Sequence, residues 1–157
     1  MNMFNLIVKG LGGEGAKTAV EILAKAANKE NKFFLAYPEF GPERSGTPIN
    51  AYFKMDDKLI RDRSPIKIAD YILILNKNLE RIDSELKKGG TLIINSEIHK
   101  KYYYLNAKEI SPIPNIAMLG ALIRITKILK KESVESVLPE EFLKEFQEGY
   151  KMVKNGK

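Results

Sequence analysis

Two short stretches hold the residues with most chemical content. Gly10-Leu11-Gly12-Gly13-Glu14-Gly15 satisfies the spacing G-x-G-x-x-G, and Lys17 and Thr18 follow directly behind it. In that spacing the first glycine permits a tight turn, the second a close backbone approach, and the third close packing of a helix on a strand. Amides at the start of such a helix hold an anion, to which Lys17 adds an ammonium and Thr18 a hydroxyl. The second stretch, Tyr37-Pro38-Glu39-Phe40-Gly41-Pro42-Glu43-Arg44-Ser45-Gly46, is rich in proline and glycine. Prolines cut its entropy, glycines let backbones approach, and Arg44 offers a planar fork to a carboxylate or phosphate. The chemistry on offer is recognition of an anion or of a partner chain.

The details narrow that reading. Glu14 puts a negative charge where a pyrophosphate would lie, and the second strand lacks an acidic tip for a ribose, Glu39 being the one near candidate. A phosphate-binding P-loop fails. Ala16 stands where its lysine belongs, and Lys17-Thr18 come one position late, about 100° round the helix. Asp70 precedes its strand instead of following it. The glycines serve equally well as a bare strand-to-helix turn, so turn and anion site both stay open. His99, the single histidine, sits among Glu97, Lys100 and Lys101 in a polar connection and reads as solvated. Glu39, Glu43 and Asp70 form no convincing acid/base pair, and Tyr102-Tyr103-Tyr104 reads as edge or interface packing.

The elements that must position these residues alternate. Phe4–Val8 reads as a buried strand and Ala16 onward as a helix, with Ala19, Val20, Leu23, Ala26 and Ala27 on one face. Phe33–Tyr37 is a second strand. Ile49–Lys54 and Leu59-Ile60 are expected to form a hairpin across Met55–Lys58, with Asn50, Tyr52 and Lys54 on a wet face. Tyr71–Leu75 is an uninterrupted apolar strand of the kind found inside parallel sheets. A helix is expected over Leu79–Lys87, stopped at Gly89-Gly90. Thr91–Asn95 and Tyr102–Leu105 are further strands. Asn115 is expected to cap a helix reaching about Lys130, and Pro139 to open the last helix, striped by Phe142, Leu143, Phe146, Tyr150 and Val153. The pattern predicts one α/β domain over residues 1–157 with a largely parallel sheet.

Composition sets outer limits. The 157 residues are 44% hydrophobic and carry a net charge of +6, enough for one core and too apolar for disorder. No apolar run reaches the roughly 20 residues of a membrane span, and the N-terminus lacks the features of a signal peptide. A cytoplasmic location is expected. Cysteine is absent, so this chain makes no disulfide, thiolate metal site or iron–sulfur ligation. The positive excess is spread as scattered lysines, unlike the focused basic face of a nucleic-acid reader.

The two stretches together resemble the gamma subunit of the 2-oxoacid:ferredoxin oxidoreductases, which act on pyruvate, 2-oxoisovalerate, 2-oxoglutarate or indolepyruvate. The family pattern has G-x-G-G-Q-G after its first strand and then a block close to Tyr37 through Gly46. Ile68-Ala69-Asp70, Leu86–Gly90, Asn115–Leu122 and Glu148-Gly149-Tyr150 extend the likeness in order along the chain. Glu14 departs from the family's glutamine, and Ser45 from the first glycine of a Gly-Gly pair. The resemblance implies a three-layer Rossmann-like fold with helices on both faces and a small β-hairpin. It implies a non-catalytic subunit of an enzyme that oxidatively decarboxylates a 2-oxoacid to acyl-CoA and CO2 while reducing ferredoxin. Alpha-, beta- and delta-type subunits would be its partners, and a homodimer could form when it is isolated. Thiamine diphosphate, Mg2+ and [4Fe-4S] clusters would belong to those partners, with coenzyme A as co-substrate. Coenzyme A or another anion would touch Gly10, Gly12, Gly13, Gly15, Lys17, Thr18 and Arg44. The interface would use Tyr37, Glu39, Gly41, Arg44, Ser45 and Gly46. The alternative is a stand-alone Rossmann-like nucleotide-binding module.

Overall fold

Strand β1, Phe4–Leu11, sends Leu6 and Val8 to one side and Ile7 and Lys9 to the other, and this alternation sorts the core into two layers. The computed structural model describes residues 3–39, 46–80 and 84–157. Helix α1, Ala16–Lys29, follows β1. Next come β2, Phe33–Pro38; β3, Pro48–Asp56; β4, Ala69–Ile74; β5, Leu86–Asn95; and β6, Tyr103–Leu105. Helices α2, Asn115–Thr126, α3, Lys131–Val137, and α4, Leu143–Met152, lead to a two-residue strand β7, Lys154–Asn155.

One seven-stranded sheet results, in the order β2-β3-β1-β4-β5-β6-β7. Strands β1, β4, β5 and β6 run parallel, and β2 shares their direction because β3 is antiparallel to both β1 and β2. Only β3 and β7 oppose them. The largely parallel α/β plan therefore holds.

Coverage of the two faces is unequal. All four α-helices feed the larger cluster, where Leu23, Leu119, Val134 and Phe146 meet Leu6, Val8, Phe53, Leu73 and Ile93. The opposite cluster is Ile7, Tyr52, Ile72, Ile74, Leu92 and Ile94, closed by Ile66, Leu86 and Leu79 of a 3-10 turn at Lys77–Leu79. Of the helix expected over Leu79–Lys87, no described residue is α-helical: Leu79 closes the 3-10 turn, Leu86 already begins β5, and residues 81–83 lie outside the described residues. Gly89-Gly90 is not a helix stop but a break in the β4–β5 ladder, where pairing jumps from Ala69↔Leu86 to Tyr71↔Thr91. Gly89 adopts φ +80, and a Cβ on Gly90 would lie 2.8 Å from the Lys87 carbonyl and 2.9 Å from that of Asp70.

Other boundaries move for identifiable reasons. The expected hairpin between Ile49–Lys54 and Leu59-Ile60 is absent. Residues 48–56 are one strand whose edges are taken by β1 and β2, so the small hairpin is β2–β3. Of its predicted wet face, Tyr52 and Lys54 are buried, at 6% and 4% exposure, and Asn50 is half-buried. Helix α2 ends early at Thr126, whose hydroxyl donates to the Leu122 carbonyl, and Lys127 turns left-handed at φ 52. The chain then re-enters helix as α3, anchored where the Lys130 amide donates to Glu30 at 2.8 Å. Pro139 leads into a 3-10 turn, Glu140–Phe142, ahead of α4. Helices α2 and α4 touch backbone to backbone: a Cβ on Gly149 would overlap the Ala117 carbonyl, and one on Gly120 the Phe146 carbonyl.

Candidate anion-binding and interface site

The β1–α1 turn is shaped by Gly13 and Gly15, at φ +95 and +88, a region that carries a cost for any residue with a Cβ. Of the expected glycine roles, only that of Gly10 changes. Gly10 is still in the sheet, paired with Ile49, with its α-carbon face 3.2 Å from Leu75 for any added Cβ. Gly12 makes the close backbone approach, and Gly13 and Gly15 make the turn. Gly15 also packs against Asn115 at the start of α2, whose side-chain amide donates to the Gly15 carbonyl at 3.3 Å. Asn115 is thus the first helical residue and a brace across to α1, not the cap expected for α2.

The two stretches meet. The Gly12 amide donates to the Thr47 carbonyl at 2.8 Å, and the Gly46 amide returns a bond to the Gly12 carbonyl at 3.2 Å. The end of the Pro/Gly stretch is therefore sewn to the glycine turn, and Gly46 takes φ +81 to make that fit. At the other end Glu39 extends the β2–β3 pairing by donating its amide to Asn50. Tyr37 is half-buried beside Tyr52, with rings 5.3 Å apart, and its hydroxyl donates to the Ser64 carbonyl at 2.7 Å. Burial pushes both phenols above their ordinary pKa; Tyr52 and Asp62 add to the rise at Tyr37, while at Tyr52 a hydrogen bond with Asn50 opposes it and Glu39 and Glu85 add to it. Gly41, Arg44 and Ser45 lie outside the described residues.

Glu14 does not reach outward. Its carboxylate accepts the Leu11 amide and the Asn76 side-chain amide, the latter at 3.1 Å, and so clamps the turn to the end of β4. Asn95, at the end of β5, repeats the device by donating to the Leu75 carbonyl and accepting the Ala107 amide. Glu14, Asn76, Asn95 and Asn106 line a crevice of about 140 Å3 at the carboxyl ends of the parallel strands, where open α/β sheets place ligands. On the other side of the turn, a cleft of about 540 Å3 is lined by Gly13, Gly15, Lys17, Thr18, Asn115 and Glu145. Lys17 and Thr18 are exposed there, Lys17 standing 4.0 Å from Glu21.

The sequence reading missed the asparagines, although a buried apolar run ending on Asn occurs twice, at Leu75-Asn76 and Ile94-Asn95. It also misjudged His99, whose side chain is mostly buried, at 17% exposure. Nε2 lies 2.7 Å from Glu80, and Nδ1 accepts the amides of Lys101 and Tyr102. Both nitrogens are engaged in holding the turn before β6. The arrangement around the glycine turn is one of backbone amides, amide side chains and cations, a binding geometry. Among the described residues no group of three or more His, Cys, Asp or Glu gathers to hold a metal, and no helix is long and apolar enough to cross a membrane.

The family model for pyruvate ferredoxin/flavodoxin oxidoreductase matches residues 5–156. The chain belongs to this family. Within it the likeness is to gamma-type subunits. The pyruvate/ketoisovalerate oxidoreductases common subunit gamma of Thermococcus kodakarensis is 37% identical, the match covering 89% of this chain and 87% of the relative. Pyruvate synthase subunit PorC of Methanocaldococcus jannaschii is 37% identical over 89% of this chain and 86% of its own. The crystal structure of pyruvate oxidoreductase subunit PORC from Thermotoga maritima superposes with a TM-score of 0.86 at 26% identity, over 100% of both chains.

Proposed function

We propose that this chain serves as the gamma subunit of a 2-oxoacid:ferredoxin oxidoreductase, holding the assembly together and forming one wall of the approach used by coenzyme A. The enzyme couples oxidative decarboxylation of a 2-oxoacid to acyl-CoA formation and ferredoxin reduction. The chain has no cysteine, so cluster ligation falls to alpha-, beta- or delta-type partners, as does thiamine diphosphate with its Mg2+, in the cytoplasm. The chain has no oxidoreductase activity by itself.

One observation carries the coenzyme A part of the reading. The Gly12–Gly46 and Gly12–Thr47 hydrogen bonds join residues 46–47 to the glycine turn, which supports a reading in which amides at the start of α1, Lys17, Thr18 and Arg44 address one polyanion. Glu14 is compatible because its charge is already taken up by Leu11 and Asn76. Coenzyme A affinity of the assembled enzyme tests this. Arg44→Ala and Gly13→Ala should each weaken it, by about 1.5–3 kcal/mol for a lost charged contact at Arg44. Unchanged affinity in both variants would remove coenzyme A from this surface and leave assembly as the role.

A further inference from the structure

Lys54 is the most deeply buried charged residue of the described chain, at 4% exposure, and nothing in the glycine-turn site uses it. Its ammonium donates to the carbonyls of Asp62 at 3.0 Å and Ser64 at 2.8 Å. Tyr37 adds its hydroxyl to the same Ser64 carbonyl. Ile60 and Ile66, at 6% and 7% exposure, pin the two ends of this connection into the core. A buried lysine and a half-buried tyrosine are thus spent on fixing an irregular segment, residues 60–66, between β3 and β4.

What the strap displays is specific. Asp62 is exposed, and its carboxylate accepts the amide and hydroxyl of Ser64 at 2.9 and 2.6 Å. Those bonds, and then Lys54, hold its carboxyl below the usual range. Arg61 and Arg63 are exposed on either side of it, and neither makes an ion pair with a described residue. They are two of only five arginines in a chain with 21 lysines, and arginine is the cation suited to planar carboxylate recognition. Leu59 at 63% and Ile68 at 60% exposure flank the strap. Arginine beside exposed apolar side chains is the composition of a protein interface.

We infer that the strap is a preformed docking surface for another subunit of the oxidoreductase, one that presents carboxylates to Arg61 and Arg63 and an apolar surface to Leu59 and Ile68. This rests on the subunit reading above. A rigid strap loses little conformational freedom on binding. A small phosphate ligand is disfavoured because the strap lines neither the crevice at the strand ends nor the cleft beside α1. A second copy meeting through the same face would set arginine against arginine.

The test uses the assembled enzyme, recovered from native cells through an affinity tag on this chain. Arg61→Glu/Arg63→Glu should lower recovery of partner subunits about a hundredfold or more at about 150 mM salt, as expected for reversal of close interfacial charges. Arg61→Lys/Arg63→Lys should fall in between, and Lys25→Glu/Lys29→Glu, the same charge change on α1, should recover the full complement. Full recovery by the arginine reversal overturns the inference, as does equal loss in the α1 control. If the wild-type chain brings down no partner, the subunit reading falls with it. Titration of the free chain with inorganic phosphate, followed by NMR, should leave the amides of residues 61 and 63 unmoved. Saturable shifts there at submillimolar phosphate would make the strap an anion site instead.

Discussion

Gly15→Ala is the substitution that most sharply probes how the glycine turn is built. Two costs add at this position. The native φ of +88 is left-handed, which an alanine adopts at about 1–2 kcal/mol. The new methyl would also overlap the Asn115 side chain, and overpacking of that kind costs about 1–3 kcal/mol. A total near 3 kcal/mol corresponds to a fall in Tm of about 6–12 °C for a domain of this size. Gly13→Ala separates the two terms, because Gly13 has φ +95 but nothing within 4 Å of an added Cβ. It should lose only the backbone part, about 1–2 kcal/mol. Combining Gly15→Ala with Asn115→Ala removes the two closest contacts, leaving the residue-115 Cβ 2.8 Å from the new methyl, at the expense of the Asn115–Gly15 hydrogen bond. In a double-mutant cycle the pair should show a coupling of about 1–2 kcal/mol. Urea unfolding of the four proteins gives all these values. If Gly15→Ala proved no more harmful than Gly13→Ala, the close contact between the glycine turn and α2 would not exist as described.

Gly149→Ala should push α4 off the Ala117 carbonyl and cost about 3 kcal/mol, at the upper end of overpacking, read by calorimetry. Lys54→Met takes a donor from the Asp62 carbonyl and leaves the Ser64 carbonyl with Tyr37 alone; it should cost about 1–3 kcal/mol and speed amide exchange across residues 61–65. Asp57, bonded to Lys32, and Asp62, bonded to Ser64, have depressed folded-state pKa values. Their stabilisation is present above the unfolded carboxylate value of about 4 and is lost as pH falls through the folded one. Asp57→Asn and Asp62→Asn should therefore flatten the acid limb of the stability profile. Tyr37 and Tyr52 are raised, so their contribution holds below about pH 10 and is lost as pH climbs through the folded values; ultraviolet titration should show two phenols ionising late, and only one after Tyr37→Phe.

The central strands were legible because Phe4–Val8, Tyr71–Leu75 and Thr91–Asn95 are short apolar runs that only a doubly covered sheet accepts. Segment 79–87 was misread because Gly89-Gly90 serves a ladder break as readily as a helix end; only the pairing with Ala69 and Tyr71 decides between them. The 49–60 hairpin failed for a related reason. Alternation in Ile49–Lys54 implies two kinds of face, yet Lys54 is buried by backbone carbonyls supplied from residues 62 and 64, a partner no local pattern announces. At the site, the G-x-G-x-x-G spacing marked the right turn and the close approach at Gly12, but gave Gly10 a turn that Gly13 and Gly15 make. Glu14 was visible as an unusual charge, while its use as a clamp depended on Asn76, 62 positions away. The contact between Gly12 and residues 46–47 was likewise a tertiary fact, foreshadowed only by the two stretches occurring in one chain.

The central claim is that this chain works as a subunit. The direct measurement is affinity purification of the tagged chain from its native organism, grown anaerobically, with mass spectrometry of the recovered proteins and assay of dye reduction. The account predicts co-recovery of thiamine-binding and cysteine-rich subunits, with reduction that requires both a 2-oxoacid and coenzyme A and is absent from the chain alone. Recovery of this chain by itself, under conditions that keep oxidoreductase complexes intact, would contradict it and point to a stand-alone nucleotide-binding module.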